Sequence, residues 1–456
     1  MPEVLSSQDI VRWTRELNYG TWRLQKNWNP LHIVDAEGCY FIDADGKRYL
    51  DFSAQAMCVN LGHKNAAVIR AIQEQARALP YIAPAYATDV RVELSRLLLE
   101  VLPRGLTKFF FTTSGTDANE AAVKIARMYT GRTKVIARYR SYHGSTMASI
   151  GATGDPRRWP AEPGAKGQGF IFAPEVNCYA CPIKHEYPGC DIACADYLDH
   201  MIENENDVAA VVVEPIAGTN GVLVPPPEYM PRLRRICDNR GVLLIVDEVM
   251  TGWGRTGKWF AVDHWDVQPD ILVTAKGITS AYMPLGLCAT TQQIAAHFDD
   301  RFFAHGHTYE AHPMTLAAGA ASIREIQRLG LVERAREMGE YLGARLRALK
   351  DKHISIGDVR GLGLFWCVDL VKNRQTKQPF NTKHDKLDGK PLVVDQVAAA
   401  MMKNGVAINS WLSHFVIAPP LIIEPEQIEA GVAALDDALA LADEQIGGRD
   451  LSRAGL

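Results

Sequence analysis

The chain has 456 residues, with 49 Lys plus Arg against 53 Asp plus Glu and a formal net charge of −4. That near-balance gives no reason to expect sequence-independent nucleic-acid binding, which needs a concentrated basic surface, and 47% apolar with 22% charged residues is unlike a disordered chain. No window approaches the ~18 uninterrupted apolar residues of a membrane-spanning helix.

The opening stretch Met1 to Trp13 lacks a basic cluster followed by an apolar run, so no secretory leader is expected. Together with an odd number of cysteines, nine, this points to reduced thiols and a cytoplasmic location. The length exceeds one hydrophobic core, which favours a large and a small domain.

Near the start, Cys39 to Ile42 and Arg48 to Phe52 flank an Asp45-Gly46 turn, the pattern of a hairpin. From about residue 108 to 292, short apolar runs alternate with amphipathic stretches. The runs are Phe109 to Phe111, Val135 to Ala137, Val208 to Val213, Val242 to Val246, Ile271 to Thr274 and Leu287 to Thr290. Several are apolar throughout, as in strands covered on both faces. After Ser114-Gly115-Thr116-Asp117, apolar or aromatic side chains at 118, 121, 122, 125, 126 and 129 make one helical stripe that Gly131 can end. This alternation predicts an α/β fold with an open, mainly parallel sheet. Downstream, Leu331, Ala335, Met338, Leu342, Leu346 and Leu349 share a helical face. Short strand-like runs (Gly363 to Leu370, Val406 to Asn409, Phe415 to Ala418) and a helix from about 425 follow. The expected division is a large α/β domain over 64–326 and a smaller α+β domain built from both chain ends, 1–63 and 327–456.

The run ending in Asp247-Glu248 resembles the acidic strand of a nucleotide hydrolase, and Gly252 to Trp259 nearly spells a phosphate loop. Trp259 stands where magnesium would need a hydroxyl, and the loop follows the acidic strand, so these glycines read as a turn. A better anion site lies at Thr112 to Asp117. There a strand runs directly into the striped helix, and Gly115 lets the backbone bend close to a ligand beside Ser114 and Thr116. An ordinary helix cap by Ser114 or Thr116 is the plainer reading of that segment. Lys276 follows another apolar strand, where desolvation can make an amine nucleophile; a snorkelling surface lysine is the plainer alternative. Taken together, a helix start for phosphate, an acid at one strand end and a lysine at another are the protein parts that pyridoxal phosphate requires.

These residues resemble the class III aminotransferases, dimeric pyridoxal-phosphate enzymes of fold type I, over nearly the whole chain. Ser114 to Ala122 resembles the family's phosphate loop, and Tyr142-His143-Gly144-Ser145-Thr146 the segment whose aromatic residue stacks on the cofactor ring. Glu214-Pro215-Ile216 resembles the segment whose glutamate lies near the ring. Asp247-Glu248-Val249 resembles the one that supplies the pyridinium acid, with Val249 on the other ring face. By the same resemblance Lys276 is the Schiff-base lysine. Thr308, in His307-Thr308-Tyr309, is the residue that reaches the phosphate of the neighbouring subunit's cofactor, so each site of a homodimer is shared; a tetramer stays open. Tyr19, Trp22, Ala56, Met57, Arg158 and Thr219 are the expected pocket wall, with core or interface packing as the alternative for the aromatic pair.

Within the family the nearest resemblance is to ω-amino-acid and amine transaminases, taurine–pyruvate aminotransferases above all. The implied reaction is ping-pong transfer from a primary amine donor to pyruvate or another small 2-oxo acid. An aminomutase, a decarboxylating transaminase and a non-catalytic cofactor-binding protein are the alternatives. One departure stands out. Many relatives carry a mobile arginine shortly before Ala-Pro-Pro-Leu, yet Asn409 to His414, ahead of Ala418-Pro419-Pro420-Leu421, contains none. Arg157, Arg158 or Arg23 are the expected substitutes, against the alternative that all three are ordinary surface arginines. Cys178, Cys181, Cys190 and Cys194 have spacing that admits a zinc site, a disulfide or packed free thiols; no metal is expected.

Overall fold

The computed structural model describes residues 5–162 and 167–447. Strands β1 (Ile33–Glu37), β2 (Tyr40–Asp43) and β3 (Arg48–Asp51) form an antiparallel meander. The expected hairpin is β2–β3. Gly46 takes φ +81° and donates its amide to the Asp43 carbonyl at 3.0 Å, closing the turn.

The central sheet contains β4 (Leu106–Thr112), β5 (Lys134–Arg138), β6 (Phe170–Ala173), β7 (Val208–Val213), β8 (Leu243–Asp247), β9 (Ile271–Thr274) and β10 (Gly286–Thr291), in the spatial order β4-β10-β9-β8-β7-β5-β6. All run parallel except β10, which is antiparallel to both β4 and β9. The six expected apolar runs all lie here. β6 is an addition, a four-residue edge strand too short to show a pattern. β7 and β9 are buried at every residue because helices cover both sheet faces. The helix Gly115–Thr130 packs Ala118, Ala121, Ala122, Ile125 and Ala126 inward, and small side chains let it lie close to the sheet. It stops at Gly131, where φ is +68°.

Beyond the helix Leu331–Lys352 come β11 (Ile356–Leu362), β12 (Phe365–Asn373), β13 (Gln378–Pro379), β14 (Val406–Ala407), β15 (Asn409–Trp411) and β16 (His414–Ile417). The order β11-β12-β16-β15, with β13 on β12, makes a third, antiparallel sheet. β14 instead pairs Val406 and Ala407 with Leu50 and Asp51, parallel, so a strand from the C-terminal part completes the N-terminal sheet. Arg255, in the glycine-rich turn after β8, fastens the same parts together. Fully buried, it donates to Asn60 Oδ1 at 2.7 Å and to the carbonyls of Leu364 (3.1 Å) and Pro419. Burial pulls its pKa down to about 9. No helix among the described residues is long and apolar enough to cross a membrane.

Candidate active site

β4, β5, β7, β8 and β9 share one direction, so Thr112, Arg138, Val213, Asp247 and Thr274 end at one edge, where open α/β sheets bind ligands. A cavity of about 430 Å³ opens there. Asp247, the last residue of β8, lies on its floor and is 3% exposed. Its Oδ2 accepts from Asn119 Nδ2 and from His143 Nδ1, both at 2.8 Å, and its Oδ1 from the Val249 amide at 3.0 Å. Because Nδ1 must donate to the carboxylate, His143 keeps Nε2 as its remaining polar atom. That atom is buried and unpartnered among the described residues. Glu248 does not line the cavity. Its carboxylate accepts from Thr251 Oγ1 and from the amides of Ala261 (3.0 Å) and Val262 (2.7 Å), yet burial pushes its pKa up to about 7.

The helix that begins at Gly115 supplies the second wall. Ser114 caps it by accepting the Asp117 amide at 3.3 Å, which leaves the Gly115 and Thr116 amides without protein acceptors among the described residues. A Cβ on Gly115 would lie 2.8 and 2.9 Å from the Val249 methyls, so only glycine brings the helix start this close to β8. Thr116 Oγ1 accepts the amides of Ser145 (3.2 Å) and Thr146 (3.3 Å), tying the Tyr142-to-Thr146 segment to the helix. Free amides and the helix dipole make this an anion cradle.

Lys276 stands two residues beyond β9, half-buried, with φ +50°. A left-handed lysine is uncommon and needs support from its surroundings. The backbone after it is tightly packed: a Cβ on Gly277 would meet Asn60 Nδ2 at 2.6 Å and Trp253 Cβ at 2.8 Å. Glu214, directly after β7, accepts the Tyr142 amide at 2.9 Å and the Gly218 amide at 2.7 Å; burial raises its pKa. The loop it starts is pinned at three successive carbonyls. Thr219 accepts from His414 Nε2 at 2.8 Å, Asn220 from Arg140 Nη2 at 2.5 Å, and Gly221 from Arg360 Nε at 2.7 Å. Burial lowers the His414 pKa to about 4.

Ser114, Gly115, Thr116, Tyr142, His143, Glu214, Asp247, Val249 and Lys276 therefore all line one cavity. Thr308 does not; it is exposed, and its carbonyl accepts the Tyr81 hydroxyl at 3.0 Å. The expected substrate wall is scattered. Trp22 meets Tyr142 edge-on at 6.0 Å, and Thr219 Oγ1 donates to the sulfur of Met250, a lining residue, at 3.4 Å. Tyr19 is 90% exposed. Ala56 and Met57 belong to a left-handed turn, where the Met57 sulfur accepts from Asn409 Nδ2 at 3.5 Å. Arg158 is drawn away to Glu162 at 2.8 Å and to the Phe172 ring. All nine cysteines are free thiols, and no cluster of three His, Cys, Asp or Glu among the described residues is placed to hold a metal.

Sequence reasoning missed Asn119, Met250 and the three side chains that pin the 219–221 carbonyls. Only Asn119 left a trace, as a polar residue next to the apolar stripe of its helix.

Residues 24–439 match the family model described as aminotransferase class-III. The leucine/methionine racemase of Thermococcus litoralis is 35% identical over 91% of this chain and 92% of its own. The taurine–pyruvate aminotransferase of Bilophila wadsworthia is 33% identical over 92% of this chain and 95% of its own. Among solved structures, the taurine:2-oxoglutarate aminotransferase from Bifidobacterium kashiwanohense, in complex with PLP and glutamate, superposes with a TM-score of 0.92. It is 36% identical, and the match covers 97% of this chain and 100% of that one.

Proposed function

The chain belongs to the class III aminotransferases, and from that premise we propose that it moves an amino group from an ω-amino acid or other primary amine to pyruvate or another small 2-oxo acid, the two substrates taking turns in one site. The family depends on pyridoxal phosphate. The observation that carries the reading is the single cavity in which an anion cradle, a buried carboxylate and a lysine meet, a donor set that fits this group chemically.

The free amides of Gly115 and Thr116 would hold the phosphate. Asp247, oriented by Asn119, His143 and the Val249 amide, would hold a proton at the pyridine nitrogen. Lys276 Nζ would bond the aldehyde carbon, and Tyr142 and Val249 would flank the ring. When bound, the cofactor supplies an electron-withdrawing ring that takes up the charge left as the donor loses its Cα proton. Lys276 Nζ would also serve as the base that takes up and returns the donor's Cα proton. The same reading sends Thr308 to the phosphate of the neighbouring subunit in a homodimer; its exposure, and its absence from the residues lining this cavity, support that.

A panel of amine donors (taurine, β-alanine, a diamine and an arylalkylamine) incubated with pyruvate tests the reaction through alanine formation. At least one donor should yield alanine, and Lys276→Ala should yield none. The assignment falls if no donor does so, or if amino-acid enantiomers interconvert with no 2-oxo acid consumed, the chemistry named for the Thermococcus relative.

A further inference from the structure

We propose that a second cavity is a binding site for a small zwitterion, an amino acid or an aminosulfonic acid. It measures about 440 Å³ and lies between the sheet edge beyond β5 and β6 and the third sheet, where β12 and the β15–β16 turn close it. No residue lines both this cavity and the first. Arg140 and Glu175 enter it from neighbouring strands. β5 and β6 are parallel and pair Arg138 with Ala173, so each of the two stands two positions past that pair. That is the edge at which open α/β sheets take ligands.

The charges on the lining fall into two kinds. Asp155 is committed to Arg157, whose Nε lies 2.8 Å from its Oδ2, and Asp369 to Arg360 at 2.8 Å. Arg140 and Glu175 are left over. Arg140 donates Nη2 to the Asn220 carbonyl at 2.5 Å, but its Nε and Nη1 have no acceptor among the described residues and are open to the cavity. Burial lowers its pKa, although the charges of Asp369 and Glu175 oppose this. Glu175 is half-buried and has neither a hydrogen bond nor an ion pair among the described residues.

Glu175 thus acts on Arg140 across the cavity without meeting it. A guanidinium and a carboxylate held in that way are partly desolvated and gain little from each other. A molecule with an ammonium at one end and a carboxylate or sulfonate at the other completes both with charge-assisted hydrogen bonds. Lys377 and Lys383, also on the lining and unpaired among the described residues, give the anionic end further partners. The occupant would sit close to the chemistry. Arg140 precedes Tyr142, a wall of the first cavity, by two positions, and His414, on the second lining, holds the Thr219 carbonyl at 2.8 Å.

Equilibrium dialysis of the holoenzyme against labelled alanine, and separately against labelled taurine, tests this after methoxyamine has blocked the cofactor's aldehyde. At least one of the two should bind saturably, one molecule per chain. Propionate and ethylamine, each carrying one of the two charges, should compete at least ~10-fold more weakly. Glu175→Gln strands no partner and should weaken binding by a similar factor, and Ala180→Trp, which fills the cavity, should abolish it. Both variants should keep wild-type turnover of an arylalkylamine with pyruvate. Absence of saturable binding, propionate competing as well as alanine itself, or binding unchanged in Glu175→Gln each overturns the proposal. Binding requires no turnover, so failure of this site and failure of the amino-transfer reading are seen separately.

Discussion

The floor of the cavity and its rim are held by different means. On the floor, Asp247, Asn119, His143 and Glu214 meet backbone and one another within one chain and are almost fully buried. Outside the lining, in the rim the sequence led one to expect, Tyr19, Trp22 and Thr308 are exposed, and an edge-on aromatic contact or left-handed backbone stands where hydrogen bonds do below. Chemistry common to a family needs the fixed floor; the choice of substrate is left to groups that small changes can shift. The largest expected effect tests this directly. Asp247→Ala leaves the donors of Asn119, His143 and Val249 without their acceptor, which should cost roughly 3 kcal/mol or more in thermal unfolding. Asp247→Asn keeps the shape and removes the charge, so it should fold well yet make alanine ~10²–10³-fold more slowly. A floor variant that unfolds no earlier than wild type would erase the contrast.

Just behind the floor, Glu248 gives the contrast a pH signature. Its pKa is near 4.5 when unfolded and about 7 when folded, because burial outweighs its three donors. The folded protein therefore holds this proton more tightly. The stabilisation is complete below pH 4.5 and is lost as the pH rises through 7. Glu248→Gln removes that dependence, so unfolding free energies of variant and wild type from urea denaturation should diverge across this window by on the order of 3 kcal/mol in the variant's favour. His414 works in the opposite sense. Its pKa falls from 6.5 to about 4, so its stabilisation is present above 6.5 and lost as the pH falls through 4. Parallel curves for Glu248→Gln and wild type would mean that the buried carboxylate is better solvated than its surroundings indicate.

The floor was largely legible in the sequence because backbone punctuation marks it. Apolar runs end in Asp247 and lead to Lys276, and a glycine sits where strand passes into helix, so placing the strand ends places the chemistry. Side-chain partnership is not local and left fainter marks. Asn119 is 128 positions from the carboxylate it orients, and nothing around it announces the pair. Which of Arg157, Arg158 and Arg23 packs against Tyr142 is likewise a fact of tertiary structure, and it is Arg157. Asn119→Ala measures what sequence reasoning overlooked. It should lower the rate ~10-fold and stability by about 1–2 kcal/mol, less than loss of Asp247 because His143 and the Val249 amide still hold the acid.

The rim offers the smallest and most revealing effect. Ala54-Gln55-Ala56-Met57 reads as a good right-handed helix former, yet its four residues take φ of 45°, 48°, 66° and 61°. Asp51 imposes this: fully buried, its carboxylate accepts the amides of Ser53 and Gln55, the Ser53 hydroxyl and the Gln55 side chain at 3.1–3.2 Å. Each non-glycine residue held left-handed costs roughly 1–2 kcal/mol, whereas glycine in the same place costs about 0.4–1 kcal/mol through greater freedom of the unfolded chain. Ala56→Gly should therefore stabilise the fold by about 0.5–1 kcal/mol, seen as a small rise in the unfolding midpoint. If the strain also sets the position of Met57, the same variant should change the ranking of amine donors a few-fold while leaving the pyruvate half-reaction alone. Greater stability with the ranking unchanged would make the strain a by-product of Asp51's network. A loss of stability would show that Ala56 packs against something the rim needs.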